Sequence, residues 1–295
     1  MTKAPKASKF SRKAWGAGRY AISAVILSAL FAAAPAYAET RQVMKYDVYA
    51  GGFHVVESDL TVDLAKKDKY LLRLGAHTRG FLAKLAPWQG VFETKGWYDA
   101  KKDFPQPSLH FSDTVWKDER ELTEFEYNKD GSFKEYRVTN DEKKKDKPYE
   151  PELSNDTTDV LSSTLKVMNH IAKTGKCEGS DEIFDGERRY RLIFANSKEV
   201  MLQKTEYNVY AGPATECTVE VKPMAGKWHK KPRGWLSIQE QGREKGTMPT
   251  VWFARMAKGE PAVPVKIRVK TQYGALFMHL TGYEGAGQSL KTARK

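Results

Sequence analysis

Lys176 to Phe194 reads KCEGSDEIFDGERRYRLIF and opens beside one of only two cysteines in the chain. Asp185-Gly186, in its middle, is a pair that accepts the positive φ of a tight hairpin turn. On either side, DEIF and RRYRLIF alternate apolar with polar residues, and Tyr190, Leu192 and Phe194 share a face. Period two is the signature of a half-buried strand, so the stretch is read as a β-hairpin preceded by a cysteine.

The same reading extends outward. Upstream, SNDTTDVLSSTLKVMNHIAKTG changes period: Leu161, Leu165, Met168 and Ala172 recur at helical spacing. Asp156 or Thr157 is the expected N-cap, Asp159 adds acid to the first turn, and Gly175 is the expected stop. Downstream, KTEYNVY and TECTVEVKP are expected to pair around Ala211-Gly212-Pro213, with Cys217, Val219 and Val221 on one side.

Further along, TVWFARMA and VPVKIRVKTQYG form a hairpin in which Val263, Val265, Ile267 and Val269 face one way. Toward the N-terminus, MKYDVYA, FHVVESDLTVDLA and YLLRLGAH read as an antiparallel meander. ELTEFEYNKDGSFKEYRV is a hairpin turning at Asp130-Gly131. Pro105 and Pro107 cannot donate to a ladder, so FPQPSLH is read as a turn or edge. DEKKKDKPYEPE is read as a solvated loop, and the aperiodic MAGKWHKKPRGWLSIQEQGREKGTM as an insertion. TRGFLAKLAPWQG reads as a short helix capping the sheet. Residues 286–295 have no periodicity and are expected to be a loose tail.

Residues 1–38 read as an address. Six basic residues and no acidic one precede the uncharged run AISAVILSALFAAA (Ala21–Ala34), and Ala36-Tyr37-Ala38 fits small-x-small cleavage. The run is shorter than the about 20 apolar residues of a spanning helix. A signal peptide cleaved after Ala38, the general secretory route and the periplasm of a Gram-negative bacterium are the expectation. The full chain has 49 Lys and Arg against 37 Asp and Glu, a formal charge of +12. The leader accounts for six of the 49, which halves the excess. What remains is dispersed, and nucleic acid is excluded as a partner because its binders concentrate basic residues. Peripheral contact with anionic lipid stays open. One domain is expected over residues 39–285.

In an exported chain, Cys177 and Cys217 have one intramolecular connectivity, a disulfide. Closing a loop of roughly 40 residues stabilises a fold by about 4 kcal/mol on the chain-entropy account. The bridge would tie the end of the helix to the sheet.

Motifs of chemistry are sparse. Ser163-Thr164-Leu165-Lys166 and Lys173-Thr174-Gly175 match two signatures of penicillin-recognising enzymes, but both fall on one helix and its stop instead of on opposite walls of a site. The six histidines, His54, His77, His110, His170, His229 and His279, never take H-x-x-x-H spacing. No metal, cofactor or catalytic residue is expected. An apolar groove is expected at Phe81, Leu82, Leu85 and Trp88, with Trp97 and Trp252.

Several segments, taken in order, resemble a known family. They are YDVYAGGFHV, HTRGFLAKLAPWQGVFETKGWYD followed by PQPSLH, DVLSSTLKVM, IFDGERRYRL, TECTVEV and TVWFARMAKGEPAVPVKI. Together they resemble the exported bacterial domain-of-unknown-function 3108 family over most of residues 43–285. The resemblance implies a mainly β envelope protein: one curled antiparallel sheet, an open barrel or β-spiral, with one main helix packed on it. It carries over no catalytic residue. The expected role is non-enzymatic, binding a lipid or other apolar envelope ligand on a concave sheet face. A scaffold acting through protein contacts and a hydrolase with a site assembled in space are the alternatives.

Overall fold

The computed structural model describes residues 41–102, 104–140, 143–146, 148–228, 235–271 and 274–292. The expected leader over 1–38, His229 and residues 293–295 lie outside the described residues. β1 (Arg41–Ala50) turns through Gly51-Gly52 into β2 (Phe53–Asp63), and β3 (Lys69–Thr78) follows. After α1 (Gly80–Leu85) the meander continues through β4 (Trp88–Asp99), β5 (Phe104–Trp116), β6 (Glu119–Tyr127), β7 (Phe133–Asn140) and β8 (Lys143–Asp146). α2 (Pro151–Ser154) and α3 (Val160–Thr174) lead to β9 (Gly179–Phe184), β10 (Arg188–Leu202) and β11 (Gly212–Gly226). Then come α4 (Trp235–Glu244), β12 (Thr250–Ala254), β13 (Val263–Thr271), β14 (Gly274–Gly285) and β15 (Gln288–Lys291).

All the strands join one antiparallel sheet in the order β8-β7-β6-β5-β4-β3-β2-β1-β14-β13-β12-β11-β10-β9, with β15 on β14. Two meanders are thus sewn together at β1–β14. β8 and β9, neighbours among the strands in chain order, are the two ends of this order. On a flat sheet they would stand roughly 60 Å apart at about 4.8 Å per strand. Instead Phe184 of β9 meets Phe125 of β6 and Phe133 of β7, with ring centroids 6.1 and 5.4 Å apart. The sheet therefore curls until its ends face each other, and it stays unclosed because side chains, not a ladder, fill the seam. Leu153 of α2 completes that aromatic cluster.

α3 lies in the curl. It packs on β4 and β5 from one half and on β9 and β10 from the other. Leu165, Met168 and Ile171 are fully buried with Met44, Tyr46, Leu60, Val62, Leu72 and Leu280 of the sheet. Each such side chain contributes about 1.5–3 kcal/mol of transfer free energy. Gly175 ends the helix at φ 73°, a left-handed conformation with no Cβ penalty. Two residues on, Cys177 is bonded to Cys217 of β11 with the Cα atoms 5.6 Å apart. The staple from helix exit to sheet is as expected.

Several local expectations are corrected. The N-cap is Asp159, not Asp156 or Thr157; its carboxyl accepts from the backbone N–H of Leu161 and Ser162. KTEYNVY is not a strand: β10 runs on to Leu202 and pairs with β11 itself, across a register shift between Ala195 and Lys198. Asn196, at φ 58°, lets the strand pass that irregularity without ending. FPQPSLH belongs to β5, yet its prolines pair on the β4 side only, because pairing with β6 starts at Leu109. Within the expected solvated loop, Lys143–Asp146 pair with β7. The insertion contains α4, whose Gln239 donates from Nε2 to the carbonyl of Val221 at 2.9 Å and accepts from its N–H. The expected loose tail forms β15, because Ala286 and Gly287 take φ of 49° and 70° and return the chain along β14.

Candidate ligand-binding cavity

The curl leaves a cavity of about 950 Å³ between the N-terminus of α3 and the strands on both sides of the seam. Leu74, Phe92, Phe125, Ile183 and Tyr190 form apolar wall; His110, Thr123 and Asp159 are polar. Each wall residue is there because alternation sends it to the concave face. At the rim stand Glu121, Asn140, Glu187 and Lys227.

Asp159 organises the polar floor. It is 2% exposed, and besides capping α3 it gathers two hydroxyl relays. Thr94 Oγ1 donates to Asp159 Oδ1 at 2.7 Å and lies 2.7 Å from His110 Nδ1. Since Thr94 spends its one proton on Asp159, His110 Nδ1 carries hydrogen and donates to Thr94. Ser162 Oγ donates to Asp159 Oδ2, and the Tyr70 hydroxyl donates to Ser162 at 2.6 Å. Burial pushes Tyr70 well above the ordinary tyrosine value, and Asp159 adds to the rise, so the hydroxyl stays a donor. Burial lowers His110 below the ordinary histidine value, with Asp159 opposing. A neutral imidazole with hydrogen on Nδ1 leaves Nε2 as an acceptor on the side of the ring away from Thr94.

This arrangement fixes an acceptor on the polar floor of a cavity whose wall is partly apolar. It does not assemble a nucleophile. Thr94, the hydroxyl beside His110, is 0% exposed and committed to Asp159. A triad needs the base between nucleophile and acid, with the nucleophile reachable.

The sequence-derived groove residues lie elsewhere. None of Phe81, Leu82, Leu85, Trp88, Trp97 and Trp252 lines this cavity. α1 packs against β2 and buries none of its residues. Phe81 stacks edge-on with Phe53 at 5.5 Å, and both are exposed, as is Leu85. Trp88 opens β4 as the register partner of Trp116. Trp97 lies under Lys69 Nζ at 5.0 Å. Trp252 is buried on β12, donating from Nε1 to Glu216 at 3.0 Å. Five strands separate β4 from β12 in the sheet. Ser163 and Lys166 both turn to Asp181, Ser163 at 2.8 Å, so neither activates the other.

Sequence reasoning gives Asp159 only a place in the first turn of the helix and His110 a place among six scattered histidines, and it does not single out Thr94. One signal was present: an acid three residues before a serine at the head of a helix. Nothing in the sequence pairs Asp159 with Thr94 of β4 and His110 of β5.

A family model described as "Protein of unknown function (DUF3108)" matches residues 45–281. No curated protein matches the chain. Among solved structures, a beta-barrel-like protein of domain of unknown function DUF1849 from Brucella abortus is similar at 9% identity and a TM-score of 0.43. That likeness covers 83% of this chain and 96% of that chain, and at such a score it carries no argument.

Proposed function

The chain belongs to the DUF3108 family, and from that premise we propose that it is a non-enzymatic binding protein of the periplasm. Its ligand is an acyl-bearing envelope molecule whose head group carries a hydroxyl, amide or ammonium donor. One observation carries this reading: a cavity of about 950 Å³ with apolar walls and a fixed acceptor, His110, on its floor. Ligand pockets commonly run from about 300 to 1,000 Å³ with a few placed polar groups. The Cys177–Cys217 bond fits an oxidising compartment. Exposed Phe53, Phe81, Leu85 and Trp116 fit peripheral contact with a membrane from which such a ligand is taken. Glu121 at the cavity rim is close along β6 to Glu119, the register partner of Trp116.

Native mass spectrometry of protein purified from the periplasm, followed by lipid extraction, tests the proposal. We expect a bound acyl-bearing species on the wild type and its loss in Leu74→Trp, which fills the wall. Wild-type protein free of ligand, or equal occupancy in the filled variant, refutes it.

A further inference from the structure

The opposite face of the sheet holds a second constellation. Asp47 of β1 is the register partner of Glu57 of β2, and Tyr49 is the partner of His54 across the same hairpin. Alternation puts Tyr46 and Leu60 on the core face and Asp47 and Glu57 on the other face, where Asp47 is itself buried. One ligand atom from each of Asp47, His54 and Glu57 lies within 4.8 Å of the others.

Three details set the cluster apart from an ordinary ion pair. Among the described residues His54 Nε2 has no hydrogen-bond partner, although the atom is shielded from solvent. It stands 3.6 Å from Asp47 Oδ1, beyond the about 2.7–3.2 Å of a hydrogen bond. Two ligands on one tetrahedral zinc, each bonded at about 2.0–2.1 Å, stand about 3.3 Å apart. The Asp47–His54 spacing is close to that value, and Glu57 offers a third ligand atom within 4.8 Å of both. The third detail is support: Arg79 Nε holds Glu57 Oε1 at 3.0 Å, and His77 Nε2 stands 3.5 Å from Oε2. Tyr49 stacks on the His54 ring at 5.3 Å and limits its rotation.

We propose that Asp47, His54 and Glu57 form a binding site for a divalent transition-metal ion, zinc being the natural probe, on the outer face of the β1–β2 hairpin. One imidazole and two carboxylates suit a borderline ion, and three protein ligands leave one position for water. The site is independent of the cavity, so either proposal survives failure of the other.

The test uses the disulfide-intact chain stripped with a chelator, titrated with zinc chloride by calorimetry, and loaded with Co²⁺ for absorption spectroscopy. We expect one equivalent of zinc to bind, a cobalt spectrum of a four- or five-coordinate ion, and loss of at least tenfold in affinity in His54→Ala and in Asp47→Asn. Glu57→Gln, the conservative change, should weaken binding while leaving circular dichroism and the disulfide unchanged. No zinc bound by the wild type, or zinc bound equally well by all three variants, overturns the proposal. A variant that fails to fold leaves the wild-type stoichiometry and the cobalt spectrum to decide.

Discussion

At His110, burial and hydrogen bonding jointly set the proton's place. Burial holds the folded-state value below the ordinary one, while in the unfolded chain the ring titrates near 6.5. Above about pH 6.5 neither state binds the proton, so the ring contributes no pH dependence there. As pH falls below that value, the unfolded chain takes up a proton that the folded chain resists, and stability declines down through the folded-state value. Urea midpoints at pH 7.5 and 5.5 should therefore differ more in the wild type than in His110→Asn; an identical difference in both would show that His110 is not the group responsible. Nothing near His110 in sequence announces this. The histidine looked like one of six scattered rings until β4 and the head of α3 enclosed it.

Among the elements, α3 depends most on one residue. Asp159 caps two backbone N–H groups and anchors both hydroxyl relays. Asp159→Ala should cost about 1–2 kcal/mol for the cap. Orphaning the buried Thr94 and Ser162 hydroxyls adds about 1–3 kcal/mol. Asp159→Asn keeps a capping oxygen and should cost less. Urea unfolding of the two variants checks the order, and equal losses would mean that the oxygen Asn retains neither caps the helix nor supports a relay. The helix itself was legible: Leu161, Leu165 and Met168 recur at helical spacing, and Gly175 stops it as read. The cap was misplaced because Asp156, Thr157 and Asp159 all suit the position, and only packing against β4 and β5 selects among them. β10 was cut short for a related reason. A register shift is a pairing event, and pairing partners are not written in the strand's own residues.

For the whole molecule, the seam decides the shape. Phe184 joins the two sheet ends by packing on Phe125, Phe133 and Tyr136. Gly186 beside it has φ 98°, and a Cβ there would lie 2.5 Å from the Tyr136 hydroxyl. Phe184→Ala should cost about 3–5 kcal/mol. It should also speed amide hydrogen exchange in β7 and β9 before the β1–β14 pair; unchanged exchange at the seam would show that the curl is held elsewhere. The sequence by itself determined the antiparallel β class, the lone main helix, most hairpin turns and the cysteine pair. Those rest on short-range periodicity, on φ preferences at Asp-Gly and Gly, and on there being two cysteines to join. Only the tertiary structure decided that β1 pairs with β14 and that the ends of the sheet meet. It alone brought Thr94, His110 and Asp159 together inside, and Asp47, His54 and Glu57 outside. Such contacts join residues far apart in the chain or across a turn, and they are set by which faces are buried together, a property no single stretch of sequence holds.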